Sequence, residues 1–106
     1  MHAEDSLDLC YVKDTGRAIA LLQLADQLNH RTYNVASSHA TTNAEIAAAI
    51  RQAVPDAQVD LPSGSQTPRA WLDITRLRQD TGYQPDWNTD SAAADYIAWL
   101  QAGNER

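Results

Sequence analysis

The sequence predicts an α/β or α+β fold in a single domain that spans residues 1–106. Two observations lead to this prediction. Short segments with the pattern of β-strands are separated by segments of helical periodicity, in the order strand, helix, strand, helix, strand. An irregular segment and two more helical patterns complete the chain, which gives about three short strands and four helices. Apolar residues form 43% of the sequence and charged residues 21%, a balance typical of globular domains.

The first strand and the first helix are predicted from the N-terminal third of the chain. Apolar side chains alternate along 7–12, which is typical of a strand. A helix is predicted over 15–29, with Asp14 or Thr15 accepting a hydrogen bond from a free N–H at its start. This helix has a broad apolar surface, made of Ala18, Ile19, Leu21, Leu22, Leu24, Ala25 and Leu28.

The second strand, the second helix and the third strand follow in order. The β-branched and aromatic residues of 32–36 favour a strand. Thr42 and Glu45 have the spacing of a capping box, and the helix that they begin ends before Pro55. The alternation along 58–61 predicts the third strand.

The last 45 residues are predicted to contain two helices and little sheet. The polar segment 62–68 is predicted as a loop, and 71–74 as a brief extended piece. A short helix is expected over 75–80, with Gly82 as its C-cap. The final helix is predicted from about 90 to 102.

Charge and composition argue against several classes of function. Eight basic residues against fourteen acidic ones give a net charge of −6, which disfavours binding to nucleic acids or to an anionic membrane. The four glycines are far apart, so no glycine-rich phosphate-binding loop can be formed from them. The N-terminus lacks the pattern of a signal peptide, and one cysteine cannot form an internal disulfide, so we expect a cytoplasmic protein.

Few side chains have the spacing of a catalytic or metal site. Cys10 and His39 could be combined into a nucleophile and its base, but a cysteine within a predicted strand is more simply a buried, unreactive thiol. The three histidines follow no ligand spacing, which predicts that the chain has no metal site.

Five segments, in order, resemble the extended short-chain dehydrogenases/reductases, the NAD-dependent epimerase/dehydratase family that includes the UDP-glucose 4-epimerases. The segments cover most of the chain from about Leu7 onward. They are Tyr-Val-Lys-Asp at 11–14 with Ala18, Tyr-Asn-Val at 33–35, the capped helix start at 42–46, Asp-Ile-Thr-Arg at 73–76 with Gly-Tyr-Gln-Pro at 82–85, and the closing helix around 95–100.

The resemblance implies the C-terminal, substrate-binding subdomain of such an enzyme, with no complete Rossmann unit. The family binds NAD or NADP through a G-x-x-G-x-x-G loop and transfers protons through a Y-x-x-x-K pair. Lys13 is the single lysine of this chain, and Leu9 stands four residues before it. We therefore expect no catalytic residue and no cofactor site in this chain, and NAD or NADP is implied for the full-length parent alone.

The resemblance also suggests two substrate-binding residues. Arg69 precedes the extended segment, and family members often have an arginine upstream of this segment that pairs with phosphate. The spacing here matches only loosely, and a solvated surface arginine is the simpler interpretation. Among the tryptophans Trp71 is the best candidate for stacking on a base or sugar ring, but core packing is the favoured interpretation of this residue. Trp99 is predicted to lie in the core.

Two hypotheses about function remain. The chain is either the substrate-binding portion of a nucleotide-sugar epimerase or dehydratase, inactive alone, or a non-catalytic interaction or oligomerisation module on a degenerate scaffold. Leu7 in place of the family's arginine, and Ala36 and Ser38 in place of two glycines, favour the second hypothesis. The expected partners are a nucleotide-sugar, and either a missing N-terminal Rossmann domain or a second copy bound through the 15–29 helix. A reading frame that extends upstream of Met1 into a glycine-rich unit would favour the first hypothesis.

Overall fold

The computed structural model of the protein describes residues 1–104. It contains four helices and a two-stranded sheet in which β1 pairs with β2, and this confirms the predicted fold class. In chain order the elements are β1 (Ser6–Asp8), α1 (Val12–Leu24), β2 (Ala40–Thr42), α2 (Asn43–Ala53), α3 (Thr75–Thr81) and α4 (Thr89–Gln101). Within residues 1–104, no helix is both long enough and apolar enough to cross a membrane.

The chain folds as two compact units, each built from separate stretches of sequence. The first unit contains Met1–Ser6, Thr41–Arg69 and the described residues from Trp87 onward. The second unit contains Leu7–Ala40 and Ala70–Asp86. The single domain expected from the sequence remains a prediction.

The second unit has a hydrophobic core that joins α1 to α3. Ala18 of α1 and Leu77 of α3 are fully buried there together with Ala36, Ile74 and Tyr83. Gly82 ends α3 with a φ of 73°, a conformation that favours glycine, and this reversal is followed at once by the buried Tyr83. The predicted helix and its glycine C-cap are thus confirmed.

The first unit is organised by the packing of α2 on α4. Ala47 and Ala49 of α2 are its buried helical residues. Thr42 accepts a hydrogen bond from the Glu45 N–H at 3.1 Å, which confirms the predicted N-cap of α2. At the start of α4, Asn88 and Ser91 exchange backbone and side-chain hydrogen bonds in a capping box that the sequence analysis missed.

The number of strands differs from the prediction. The strand predicted over 7–12 is wrong beyond Asp8, and the segments 32–36 and 58–61 belong to no strand. The second strand of the sheet lies instead at Ala40–Thr42, where no strand was predicted. Alternation indicates an extended backbone with two different faces, but a strand also needs a neighbour to which it can hydrogen bond, and the periodicity of one segment does not reveal that neighbour.

The first helix is displaced from its predicted position at both ends. It spans Val12–Leu24 rather than 15–29, and its N-cap is Tyr11, which makes no side-chain capping bond. Asp14 does not cap the helix, because its carboxylate accepts a hydrogen bond from the distant Asp86 N–H. The helix ends at Ala25, where the backbone becomes extended.

Candidate functional site

Trp71 lies on an exposed segment whose backbone is fixed at two points. The residue is 57% exposed, and its ring makes no aromatic contact with the part of the chain that the structure describes. The next residue, Leu72, donates its N–H to Asp8 at 3.0 Å. One residue further, the Asp73 carbonyl accepts a hydrogen bond from the Asn34 side-chain amide, also at 3.0 Å. The Trp71 indole is therefore exposed to solvent on a segment whose backbone is fixed by hydrogen bonds.

The Asp8 carboxylate also holds the turn at Ser37 and Ser38. It accepts hydrogen bonds from both backbone N–H groups, at 2.8 and 3.0 Å, and from the Ser37 hydroxyl at 2.5 Å. Partial burial alone would raise the pKa of Asp8, but the hydrogen bonds from Ser37, Leu72 and Ser38 outweigh burial and lower it. Asp8 is therefore an anion at neutral pH, at the centre of a polar cluster in the second unit.

Arg69 lies in the first unit, after a turn that Asp5 organises. The Asp5 carboxylate accepts the Gln66 N–H at 2.6 Å and the Thr67 N–H at 3.1 Å. These hydrogen bonds hold the pKa of Asp5 well below its usual range, and the bond from the Gln66 N–H has the largest effect. Arg69 itself is exposed and has no hydrogen bond or ion pair within residues 1–104, which leaves its guanidinium available to an anion.

A hydrogen-bonded network in the second unit joins Arg17 and Asp86 to several residues that carried the family resemblance. Asp14 accepts the Asp86 N–H at 3.0 Å. Arg17 lies 3.5 Å from the Asp14 carboxylate and 3.1 Å from that of Asp86, and it donates to the Gln84 carbonyl. Its guanidinium sits 4.9 Å from the centre of the Tyr83 ring. These residues have a structural role, because they join α1 to the segment that follows α3.

Cys10 is bound into the same network rather than lying inside a strand. It follows β1, it is half-buried, and its sulfur accepts a hydrogen bond from the Thr15 hydroxyl at 3.2 Å. The Tyr83 hydroxyl lies 3.9 Å from the same sulfur. Burial and the neighbouring Cys10 raise the pKa of Tyr83, so this tyrosine stays neutral. The prediction of a buried thiol within a strand is therefore wrong, because Cys10 follows the strand and is only half-buried.

A second polar cluster surrounds Asp80, and the sequence analysis did not predict it. The Asp80 side chain is only 4% exposed and accepts hydrogen bonds from the Tyr33 hydroxyl at 2.5 Å and from Asn29 at 2.8 and 3.1 Å. The Nδ1 atom of His30 lies 3.3 Å away. These hydrogen bonds lower the pKa of Asp80, and the bond from the Tyr33 hydroxyl has the largest effect. Burial and the neighbouring Asp80 carboxylate raise the pKa of Tyr33. About fifty positions separate the partners, so no local sequence pattern could reveal them.

The Asp80 cluster has little catalytic potential of its own. An open groove of about 430 Å³ lies beside Asp80, with Leu21, Leu24, Ala25, Asp26, Gln27 and Thr81 as its other lining residues. The carboxylate is already saturated by its protein partners, so it stabilises the segment after α1 rather than offering itself to a substrate. Within residues 1–104, no three His, Cys, Asp or Glu side chains are grouped to hold a metal ion.

The structure corrects the predicted position of Trp99. This residue is 46% exposed on α4, where its ring stacks on that of Tyr96 with centroids 6.3 Å apart and planes 14° apart. A helical stripe predicts which side chains share a face, but it does not say whether another element covers that face.

Comparison with solved structures identifies the fold. Over 92% of its length, the chain matches the Bordetella bronchiseptica enzyme WbmF in complex with NAD⁺ and UDP, with a TM-score of 0.74 and 20% identity. Over 96% it matches a partial consensus L-threonine 3-dehydrogenase, with a TM-score of 0.73 and 29% identity. Over 94% it matches the Helicobacter pylori ADP-L-glycero-D-manno-heptose-6-epimerase, with a TM-score of 0.74 and 21% identity.

The chain has the fold of a part of the extended short-chain dehydrogenases/reductases. This confirms the resemblance that the five sequence segments predicted. No protein-family model and no curated protein sequence matches the chain. The chain spans about a third of the dehydrogenase/reductase chains that it matches, namely 29%, 36% and 31% of the three described above.

Proposed function

We propose that this chain is the substrate-binding portion of an NAD-dependent nucleotide-sugar epimerase or dehydratase-like protein and that it is not catalytic alone. The observation that carries the proposal is the coverage: nearly all of this chain matches about a third of each solved enzyme. The sequence itself contains neither a Y-x-x-x-K pair nor a glycine-rich loop, because Lys13 is its single lysine and its four glycines are dispersed. The cofactor, NAD or NADP, would then be bound by another part of the parent protein.

Trp71 and Arg69 are the residues that we assign to the substrate. An exposed indole on a fixed backbone can stack on a nucleotide base, an interaction that contributes about 1–3 kcal/mol. A guanidinium without a protein partner can bind a diphosphate through two parallel hydrogen bonds. The complex of WbmF with UDP supports a nucleotide diphosphate as the ligand class, and each of the two residues is assigned to it separately.

The partner that we propose for the second unit is the cofactor-binding part of the parent. Seven large aliphatic residues of this unit are exposed, and they are called here the apolar face: Leu7, Leu9, Val12, Ile19, Leu24, Leu28 and Leu72. So many exposed aliphatic side chains in one unit favour a surface that is covered in the assembled protein. About two thirds of each matched enzyme has no counterpart in this chain, which is the reason for choosing that part as the occupant.

Calorimetry with the purified chain tests the assignment to the substrate. UDP should bind and NAD should not. Trp71→Ala should weaken UDP binding about tenfold, whereas Trp99→Ala, which removes an exposed indole from α4, should leave the affinity unchanged. Arg69→Gln should also weaken binding, with the exposed Arg31→Gln as its matched control. Binding of NAD by this chain alone, or turnover of a sugar nucleotide, would overturn the proposal.

A second candidate function is a non-catalytic interaction module on the same scaffold. Two observations favour it: Leu7 stands where the family has an arginine, and Ser38 has a φ of 59° where the family has a glycine. If UDP does not bind and the chain forms a defined dimer through the apolar face, the module is the better assignment.

A further inference from the structure

Asp8 connects two segments of the second unit that are far apart in the sequence. One carboxylate oxygen accepts the Ser37 N–H and hydroxyl, and the other accepts the N–H groups of Ser38 and Leu72. The Leu72 N–H belongs to the peptide bond formed by the Trp71 carbonyl group. Asp8 therefore holds the backbone immediately beside the exposed indole.

We propose that Asp8 is a positioning residue that fixes the orientation of Trp71 for stacking on a ligand, an inference that rests on the proposed function of Trp71. The segment 71–74 belongs to no helix or strand, so no ladder of backbone hydrogen bonds holds it. Besides the buried Ile74, whose carbonyl accepts the Arg78 N–H, its anchors are the bond from Leu72 to Asp8 and the bond from Asn34 to the Asp73 carbonyl. Hydrogen bonds to a carboxylate are stronger than neutral ones, which makes Asp8 the more important anchor.

The energetic benefit is preorganisation. A loose segment must lose conformational entropy when its indole stacks on a base, and that loss weakens binding. A segment whose backbone is already fixed loses less. The cluster needs no movement on binding, because the Asp8 oxygens already have all four of their described partners in the free chain.

Nuclear magnetic resonance of the ¹⁵N-labelled indole groups separates positioning from general stability. Trp71, Trp87 and Trp99 give three indole signals, which Trp→Phe substitutions assign. In Asp8→Asn, the Trp71 signal should shift and its heteronuclear NOE should fall, while the other two signals stay in place. The matched control is Asp80→Asn, which makes the same charge change in another four-bonded cluster of the same unit and should leave Trp71 unmoved.

Asp8→Glu provides the second variant should Asp8→Asn fail to fold, because it keeps the charge and moves the carboxylate by one methylene group. It should perturb the Trp71 signal in the same sense. An unchanged Trp71 signal in every folded Asp8 variant would overturn the inference, and so would an equal change in Asp80→Asn.

Titration with UDP connects the position of the indole to binding. Asp8→Asn should weaken UDP binding about tenfold in the parent background and have no further effect when Trp71 is already alanine. Equal weakening in both backgrounds would mean that Asp8 does not act through Trp71. If the parent chain binds no UDP but the Trp71 indole becomes more mobile in Asp8→Asn, the proposed function is refuted and the positioning by Asp8 is supported.

Discussion

The buried carboxylate of Asp14 accepts the backbone N–H of Asp86 at 3.0 Å, although 72 positions separate the two residues in the sequence. Asp14 is 2% exposed and lies in the first turn of α1. Arg17, one turn further along the same helix, supplies the positive charge that compensates it. This one carboxylate therefore ties the start of α1 to the chain that leaves α3.

The first prediction concerns Asp14. Asp14→Ala should lower the free energy of unfolding by about 2–4 kcal/mol, because it leaves Arg17 and the Asp86 N–H without their buried acceptor. Asp14→Asn keeps one acceptor oxygen and should have a smaller effect. The exposed Asp86→Asn serves as the control and should change stability by less than about 1 kcal/mol. Urea unfolding measures all three, and an equal loss in Asp86→Asn would contradict the assignment.

The second prediction concerns Ser38, which has a φ of 59° at a position where the resembled family has glycine. A serine in this left-handed conformation is strained, whereas glycine adopts it without a steric penalty. Ser38→Gly should therefore raise the free energy of unfolding by up to about 1 kcal/mol, since the relief exceeds the entropy that glycine adds to the unfolded chain. Thermal unfolding measures the change.

The control for Ser38 is its neighbour. Ser37→Gly should destabilise the protein, because Ser37 has no positive φ to relieve and its hydroxyl is bonded to Asp8. A stabilising effect of Ser37→Gly equal to that of Ser38→Gly would show that strain is not the cause.

The sequence predicted the helices better than the sheet, for a physical reason. Thr42 before α2 and Gly82 after α3 act within one turn of the chain, so their capping roles could be identified locally. The start of α1 was misplaced because Asp14, an ordinary capping residue, has a partner 72 positions away. The pairing of β1 with β2 depends on a similarly long-range contact.

The candidate site was predicted only in part. Trp71 could be chosen from the sequence, and the structure adds that the residue is exposed and that its segment is anchored. The anchors Asp8 and Asn34 were not predicted, because the spacing between them and residues 72–73 follows from the fold and not from any motif. The Asp80 cluster was missed for the same reason.

The third prediction concerns acid stability. Hydrogen bonds from Tyr33 and Asn29 lower the pKa of Asp80 in the folded protein. A carboxylate with a depressed folded pKa stabilises the protein above its unfolded pKa of about 4 and loses that contribution as the pH falls toward the folded value. Asp80→Asn should therefore flatten the dependence of the melting temperature on pH below about 4.

Two variants sharpen the acid-stability test. Tyr33→Phe removes the hydroxyl that is the largest cause of the pKa shift, so it should reproduce part of the flattening. Asp26→Asn changes an exposed aspartate and should leave the slope as it is. A slope that is unchanged in Asp80→Asn would show that Asp80 does not contribute to acid unfolding.

The fourth prediction concerns the apolar face of the second unit. Leu24 is 81% exposed at the end of α1, and Ile19 is exposed on the same helix. If the partner proposed for this face is absent, copies of the chain should cover it by associating with each other, and light scattering at ~100 µM should detect species larger than a monomer. Leu24→Glu should shift the distribution toward monomer and reduce the binding of a dye specific for apolar surfaces. The control, Gln23→Glu, adds the same charge at the neighbouring exposed position and should change neither the size distribution nor the dye binding. A strictly monomeric parent chain without dye binding would contradict the role of Leu24 in association. Equal effects of the two substitutions would contradict it as well.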